Sequence, residues 1–165
     1  MRVLGIDTSL RSTGIAVVLS AGSRMSAVEY GVLKKSPKAL ISECLRGLDE
    51  GITGMVERTE PDAVALEGAF FSKNARTAMI LGQARGVAIA ASARCGLPVY
   101  EYAPRRVKQA LVGFGSAGKE QVRKMVMTIL GLTEEPAEDA GDALAIAVCH
   151  LHNVSGHAAL GPKEI

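Results

Sequence analysis

Tryptophan is absent from this chain, and phenylalanine and tyrosine number only three each among 165 residues. The core must therefore be built from aliphatic side chains, and adjacent aromatics such as Phe70 and Phe71 call for a specific reason. Cysteine is scarce too. Cys44, Cys95 and Cys149 are odd in number and widely spaced, which argues against a disulfide framework or a zinc pattern. They read as small buried side chains in a reducing compartment. No run of about 18 apolar residues occurs, so no membrane span is expected. The opening M-R-V-L-G-I-D lacks a long apolar core and a small-residue cleavage site, so it does not read as a signal peptide, and the cytoplasm is the expected location. A strong charge of either sign is missing as well. The net charge of +2 is, alone, weak evidence for a nucleic-acid partner. Repeats and low-complexity segments are not seen.

What is present suits one soluble globular domain, expected over residues 1–153, with a mobile polar tail over 154–165. Val3–Asp7, Thr13–Leu19 and Ser26–Leu33 read as strands, and the short gaps between them favour an antiparallel meander. Ser36 and Pro37 look like the N-cap and first residue of a helix running to about Thr59, with Leu40, Ile41, Cys44, Leu45, Leu48, Ile52, Met55 and Val56 on one face. Ala63–Glu67 follows as a strand, reached by a helical crossover and so parallel to the first. Asn74 caps a helix ending near Cys95, Pro98–Tyr102 is a fifth strand, and Ala103–Val112, Lys119–Leu130 and Asp139–Asn153 are further helices. This order implies an α/β fold: a mixed five-stranded sheet flanked by helices, as in the ribonuclease-H-like fold. The helix after Asn74 is rich in small residues, and Gly82 and Gly86 within it each cost about 1 kcal/mol relative to alanine. Close approach to a sheet or to a partner helix is the expected reason.

Four carboxylates carry the chemistry. Asp7 and Glu67 each end an apolar strand, and parallel neighbours would project both from one sheet edge. Asp139 and Asp142 are three apart and share a helix face. Taken singly, they have plain explanations: a turn-forming aspartate at a strand end, and first-turn acids that complement a helix dipole. Together, unneutralised, they would repel one another and raise each other's pKa values. Acids gathered from distant segments suggest a hard divalent ion, and a pair of such ions can clamp a phosphate during in-line displacement. Glu138 is left outside this set, because two carboxylates already share the inward face. His150 and His152 read as packing or helix C-terminal residues rather than ligands.

A resemblance then becomes specific. G-I-D at Gly5–Asp7, Glu67 followed by Phe70, K-N-A at Lys73–Ala75, L-G-Q-A-R-G-V-A-I-A at Leu81–Ala90, V-K-Q-A at Val107–Ala110, V-G-F-G-S-A-G-K at Val112–Lys119 and D-A-G-D-A-L-A-I-A at Asp139–Ala147 span nearly the whole chain. In these stretches the chain resembles the RuvC family of bacterial Holliday junction resolvases. The resemblance implies a crossover junction endodeoxyribonuclease acting in homologous recombination and DNA repair by paired symmetric nicks. It implies Asp7, Glu67, Asp139 and Asp142 as ligands of two Mg²⁺ ions, with Mn²⁺ as a substitute, and Lys119 beside the scissile phosphate. It also implies Phe70 stacking on junction bases, with Lys73, Asn74, Arg76 and Lys108 as further DNA contacts. The implied partners are four-way junction DNA, a second copy of the chain, and the branch-migration complex of RuvA and RuvB. Two departures stand out: Thr8–Ser9 replaces the family's usual Pro-Gly after the first aspartate, and Gly141 lies between the last two acids.

Other readings are a related nuclease of the same fold acting on RNA, a junction-binding protein without catalysis, and a small ATP-binding domain of the actin and sugar-kinase kind. The L-G-Q-A-R-G helix and Phe70 weigh against the first, the intact acids against the second, and the lack of a second phosphate loop against the third. A four-way junction has two-fold symmetry, which a C₂ dimer would match. The small-residue helix Asn74–Cys95 is the candidate interface, unless its glycines merely seat it on its own sheet.

Overall fold

The computed structural model describes residues 1–68, 74–155 and 163–165. Three strands, β1 (Arg2–Asp7), β2 (Ser12–Ala21) and β3 (Arg24–Lys34), form the antiparallel meander. Helix α1 (Ile41–Thr59) crosses to β4 (Ala63–Glu67), which pairs parallel to β1 with Ile6 opposite Leu66. Helix α2 (Ala75–Arg94) leads to β5 (Val99–Tyr102), parallel to β4, and helices α3 (Pro104–Val112), α4 (Lys119–Leu130) and α5 (Glu138–Ser155) follow. The five expected strands gain a sixth, β6 (Lys163–Glu164), giving the order β3-β2-β1-β4-β5-β6. The expected tail thus differs at both ends. Helix α5 runs past Asn153, and the last residues re-enter the sheet antiparallel to β5, with Ile165 N–H donating to the Val99 carbonyl at 2.9 Å.

The start of α1 also departs from expectation. Ser36 does not cap α1. Its hydroxyl instead accepts from Lys38 N–H at 3.2 Å and its carbonyl from Ala39 N–H at 3.0 Å, closing a local turn. The helix begins after Leu40, whose N–H donates to the Glu43 carboxylate at 3.0 Å. Serine side chains compete for nearby backbone in this way, and the turn is further held by Arg11, which donates to the carbonyls of Ser36 and Ala39. Asn74, by contrast, caps α2 as expected, accepting from Thr77 N–H at 3.2 Å.

Strand alternation divides the core in two. Leu4 and Ile6 with Val64 and Leu66 face α1 and α2, packing on Leu48, Ile52, Ala84 and Ala88. Val3 and Ala65 face the other side, against Ala143, Leu144, Ala147 and Val148 of α5. By the same alternation Gly5, Asp7 and Glu67 point toward α5. A Cβ on Gly5 would overlap the Ala143 carbonyl, and one on Gly14 would overlap the Asp139 carbonyl. Asp7 is the register partner of Gly14. These two glycines let α5 lie directly on the middle strands, and so set its acidic first turn beside the end of β1. Cys44 and Cys149 are buried as expected, whereas Cys95 is half-exposed at the end of α2. Among the described residues, no helix is long and apolar enough to cross a membrane.

Candidate active site

Asp7 and Glu67 leave adjacent parallel strands side by side, because Ile6 and Leu66 are partners immediately before them. They line one cleft of about 400 Å³ with Asp142, Lys108 and Lys119; Pro104, Val107, Val122, Ala145 and Ile146 form its apolar wall. The cleft therefore joins the ends of two strands, the first turn of α4, the second and third turns of α5, and the start and body of α3.

Its electrostatics are those of crowded, partly desolvated acids. Burial, then the charges of Asp142 and Asp139, push the Asp7 carboxyl up to about 6. Burial, then Asp7 and Asp142, push Glu67 up to about 7. Burial also raises Asp142, against the lowering influence of Lys119. Lys119 is itself raised, chiefly by its hydrogen bond to Glu138 at 2.7 Å, and lies 4.0 Å from Asp142. Glu138, left outside the acid set on sequence grounds, thus holds the lysine at the rim of the cleft.

Asp139 stands apart from the other three. It does not line the cleft, and its carboxylate accepts a short hydrogen bond from the Ser12 hydroxyl. Ser12 gave no sequence signal, since a lone serine at a strand start is ordinary. The turn after Asp7 closes without glycine: Ser9 N–H donates to the Thr13 hydroxyl at 3.1 Å, and Ser12 N–H donates to the Ser9 hydroxyl at 3.2 Å. Side-chain oxygens here replace what Pro-Gly supplies by conformation.

Thr8, Gly68, Ala78, Leu81, Gly82 and Arg85 line a second, smaller cavity on the α2 side of Asp7 and Glu67. Asn74 and Arg76 are exposed at the start of α2. Phe70 and Lys73 lie outside the described residues. His150 is fully buried; its Nδ1 meets the Tyr102 hydroxyl at 2.9 Å, and burial lowers it to about 4. His152 Nδ1 meets the Ala110 carbonyl at 2.9 Å. Both histidines are packing residues away from the cleft.

The donor set suits a hard divalent cation: oxygen atoms only, mutually repelling, with two carboxyls held well above their ordinary range. Among the described residues, no three acidic, histidine or cysteine side chains already stand in ligating arrangement. The site thus presents the charge that a cation would neutralise rather than a finished cage.

A family model described as crossover junction endodeoxyribonuclease RuvC matches residues 3–150. The chain is 47% identical over 154 residues to the RuvC of Pelotomaculum thermopropionicum, covering 93% of this chain and 94% of that one. It is 49% identical over 153 residues to the RuvC of Pelobacter propionicus, covering 93% and 87%. Among solved structures, Thermus thermophilus RuvC in complex with a Holliday junction substrate superposes with a TM-score of 0.90 at 36% identity, covering 99% of each chain.

Proposed function

Because the chain belongs to the RuvC family of crossover junction endodeoxyribonucleases, we propose that it resolves four-way DNA junctions at the cleft of Asp7, Glu67 and Asp142, with Asp139 completing the acid set. The observation that carries this reading is the convergence of Asp7 and Glu67, from adjacent strand ends, on the cleft that also holds Asp142 and Lys119. Two Mg²⁺ ions, or Mn²⁺ in their place, would supply positive charge to the attacking water and to the departing 3′ oxygen. Asp7 would be the carboxylate common to the ion sites, because it interacts with Glu67, Asp142 and Asp139 alike. A bound cation would lower the raised pKa of Asp7 and that of Glu67, replacing mutual repulsion with attraction. Asp139, which accepts from the Ser12 hydroxyl, would complete the ligand set.

Lys119, in the cleft and bonded to Glu138, would offset charge on the phosphorane-like transition state. Lys108, from α3 in the same cleft, neutralises backbone phosphate, as do Lys73 and Arg76. Phe70 stacks on a junction base, a contact worth about 1–3 kcal/mol, and Asn74 contacts DNA beside it.

The protein acts as a homodimer through α2. Gly82 and Gly86 are exposed, and a Cβ on either would meet nothing within 4 Å among the described residues. Seating on the chain's own sheet therefore does not explain them, whereas a second copy of the helix would. RuvA and RuvB are the expected branch-migration partners by family membership.

Cleavage of a four-way junction, a linear duplex and an RNA hairpin, each with Mg²⁺ and with chelator, tests the reading. Selective, paired, Mg²⁺-dependent nicking of the junction is expected. Preferential cutting of the hairpin would make it an RNA nuclease, and junction binding without cutting would make it a structural protein.

A further inference from the structure

Arg85 of α2 has a side chain only 14% exposed, and its two terminal nitrogens have different partners. Nη1 donates to the Glu67 backbone carbonyl at 2.7 Å. Nη2 donates to the Glu101 carboxylate at 2.6 Å. Glu101 lies in β5, opposite Leu66 of β4, and alternation turns it toward α2 while Glu67 turns toward α5. Arg85 thus reaches Glu67 from behind the sheet, gripping its backbone and leaving its carboxylate free for the cleft. The next residue is held from the same side. Gly68 N–H donates to the Tyr102 carbonyl at 2.7 Å, and a Cβ on Gly68 would lie 2.8 Å from Glu101 Oε1. Arg85, Glu101 and Gly68 form one clamp around the end of β4.

We propose that Arg85 is a positioning residue for junction cleavage, fixing the peptide that carries Glu67 through a fork shared with Glu101. The inference rests on the reading of Glu67 as a metal ligand. A guanidinium is suited to the role because its planar fork holds two acceptors at a set angle, which a lysine ammonium cannot reproduce. The pairing with Glu101 gives the arginine a carboxylate partner other than that of Glu67. Its influence is geometric. Displacing a reacting group by about 1 Å can cost on the order of 10²-fold in rate.

The test compares Arg85→Lys, Arg85→Gln, Glu101→Gln and the double variant Arg85→Gln/Glu101→Gln with wild type. Two measurements use metal-free protein: amide exchange at Gly68, and junction affinity in chelator. Two use Mg²⁺: the split of kcat from KM, and the half-saturating Mg²⁺ concentration. The expected result is Gly68 exchange faster by roughly tenfold in both Arg85→Gln proteins, and kcat lower by about 10²-fold. Junction KM should stay within about twofold, and half-saturation should move to higher Mg²⁺. Arg85→Lys should keep the ion pair and the melting temperature yet recover little rate. A folded double variant with wild-type exchange and wild-type kcat would overturn the proposal. So would unfolding of every Arg85 variant alongside a fully active Glu101→Gln, since the fork would then serve the fold alone. A wild-type protein that leaves junctions intact would refute the junction-cleaving reading instead, while Gly68 exchange would still report on the clamp.

Discussion

Helices α2 and α5 are both rich in alanine and glycine, yet they meet opposite surroundings. From Ala143 to Leu151, α5 is buried without a break between the sheet and α3 and α4, and its small residues answer Gly5 and Gly14 on the strands below. Helix α2 buries only Ala84, Ala88, Ala91 and Ser92, and presents Met79, Gly82, Gly86 and Ala90 outward. In α5, small size brings a helix onto a sheet and carries Asp139 and Asp142 to β1. In α2, small size leaves a shallow stripe in which a Cβ on Gly82 or Gly86 meets nothing among the described residues. Composition therefore tells that backbones approach closely, but not whose backbone.

The comparison breaks most severely at the acids that the α5 contact assembles. Asp7→Asn, Glu67→Gln, Asp139→Asn and Asp142→Asn should each slow junction cleavage by roughly 10³-fold or more, with binding in chelator nearly unchanged, because basic residues hold the DNA. Near-wild-type turnover by Asp7→Asn or Glu67→Gln would remove the metal-site assignment. Full activity of Asp139→Asn alone would mean that its bond to Ser12 is its whole role.

Next comes the contact itself. Gly14→Val must push α5 off β2 and should cost about 3 kcal/mol in urea unfolding. A fully stable, fully active Gly14→Val would show that α5 tolerates a wider gap than its overlap with Asp139 implies.

On α2, the matching change should spare the fold. Gly82→Leu should shift unfolding free energy by less than about 1 kcal/mol, yet sedimentation should show dimers for wild type and monomers for the variant. Paired nicking should be lost. A strictly monomeric wild type that makes coordinated paired nicks would refute the symmetric model.

The smallest effect is the pH dependence of metal-free stability. Asp7 rises from 3.8 to about 6 on folding and Glu67 from 4.5 to about 7. Over those windows the folded state binds more protons than the unfolded one, so these two groups make stability fall as pH rises from about 4 to about 7. Buried His150, lowered from 6.5 to about 4, acts in the opposite sense over much of the same range. The acid contribution is therefore read as the difference between wild type and Asp7→Asn/Glu67→Gln. That difference should shrink when Mg²⁺ is added. An identical pH slope in the two proteins would show that the carboxyls are not strained in the folded chain.

Much of this was legible in the residues themselves. Strand alternation and apolar run length placed β1, β2, β3, β4 and β5, and acids at two strand ends marked the sheet edge where the cleft lies. Asn74 marked a helix start because its capping rule is local. Ser36 misled because a local turn satisfied its hydroxyl before any helix could, and the Glu43 carboxylate took over the helix start. Residues 163–164 carried too little pattern to read as a strand, since a two-residue pairing depends on the edge of β5 being free.

Local chemistry determined the strands, most helix ends and the identity of the acids, because these follow from periodicity and from the cost of leaving carboxylates near a core. Only the tertiary structure decided which glycines receive a neighbour. It separated Asp139 onto Ser12, drew Lys119 to Glu138, and set Arg85 between Glu67 and Glu101. Each of these joins residues from separate elements, and their distance is set by how helices settle on the sheet rather than by any spacing along the chain.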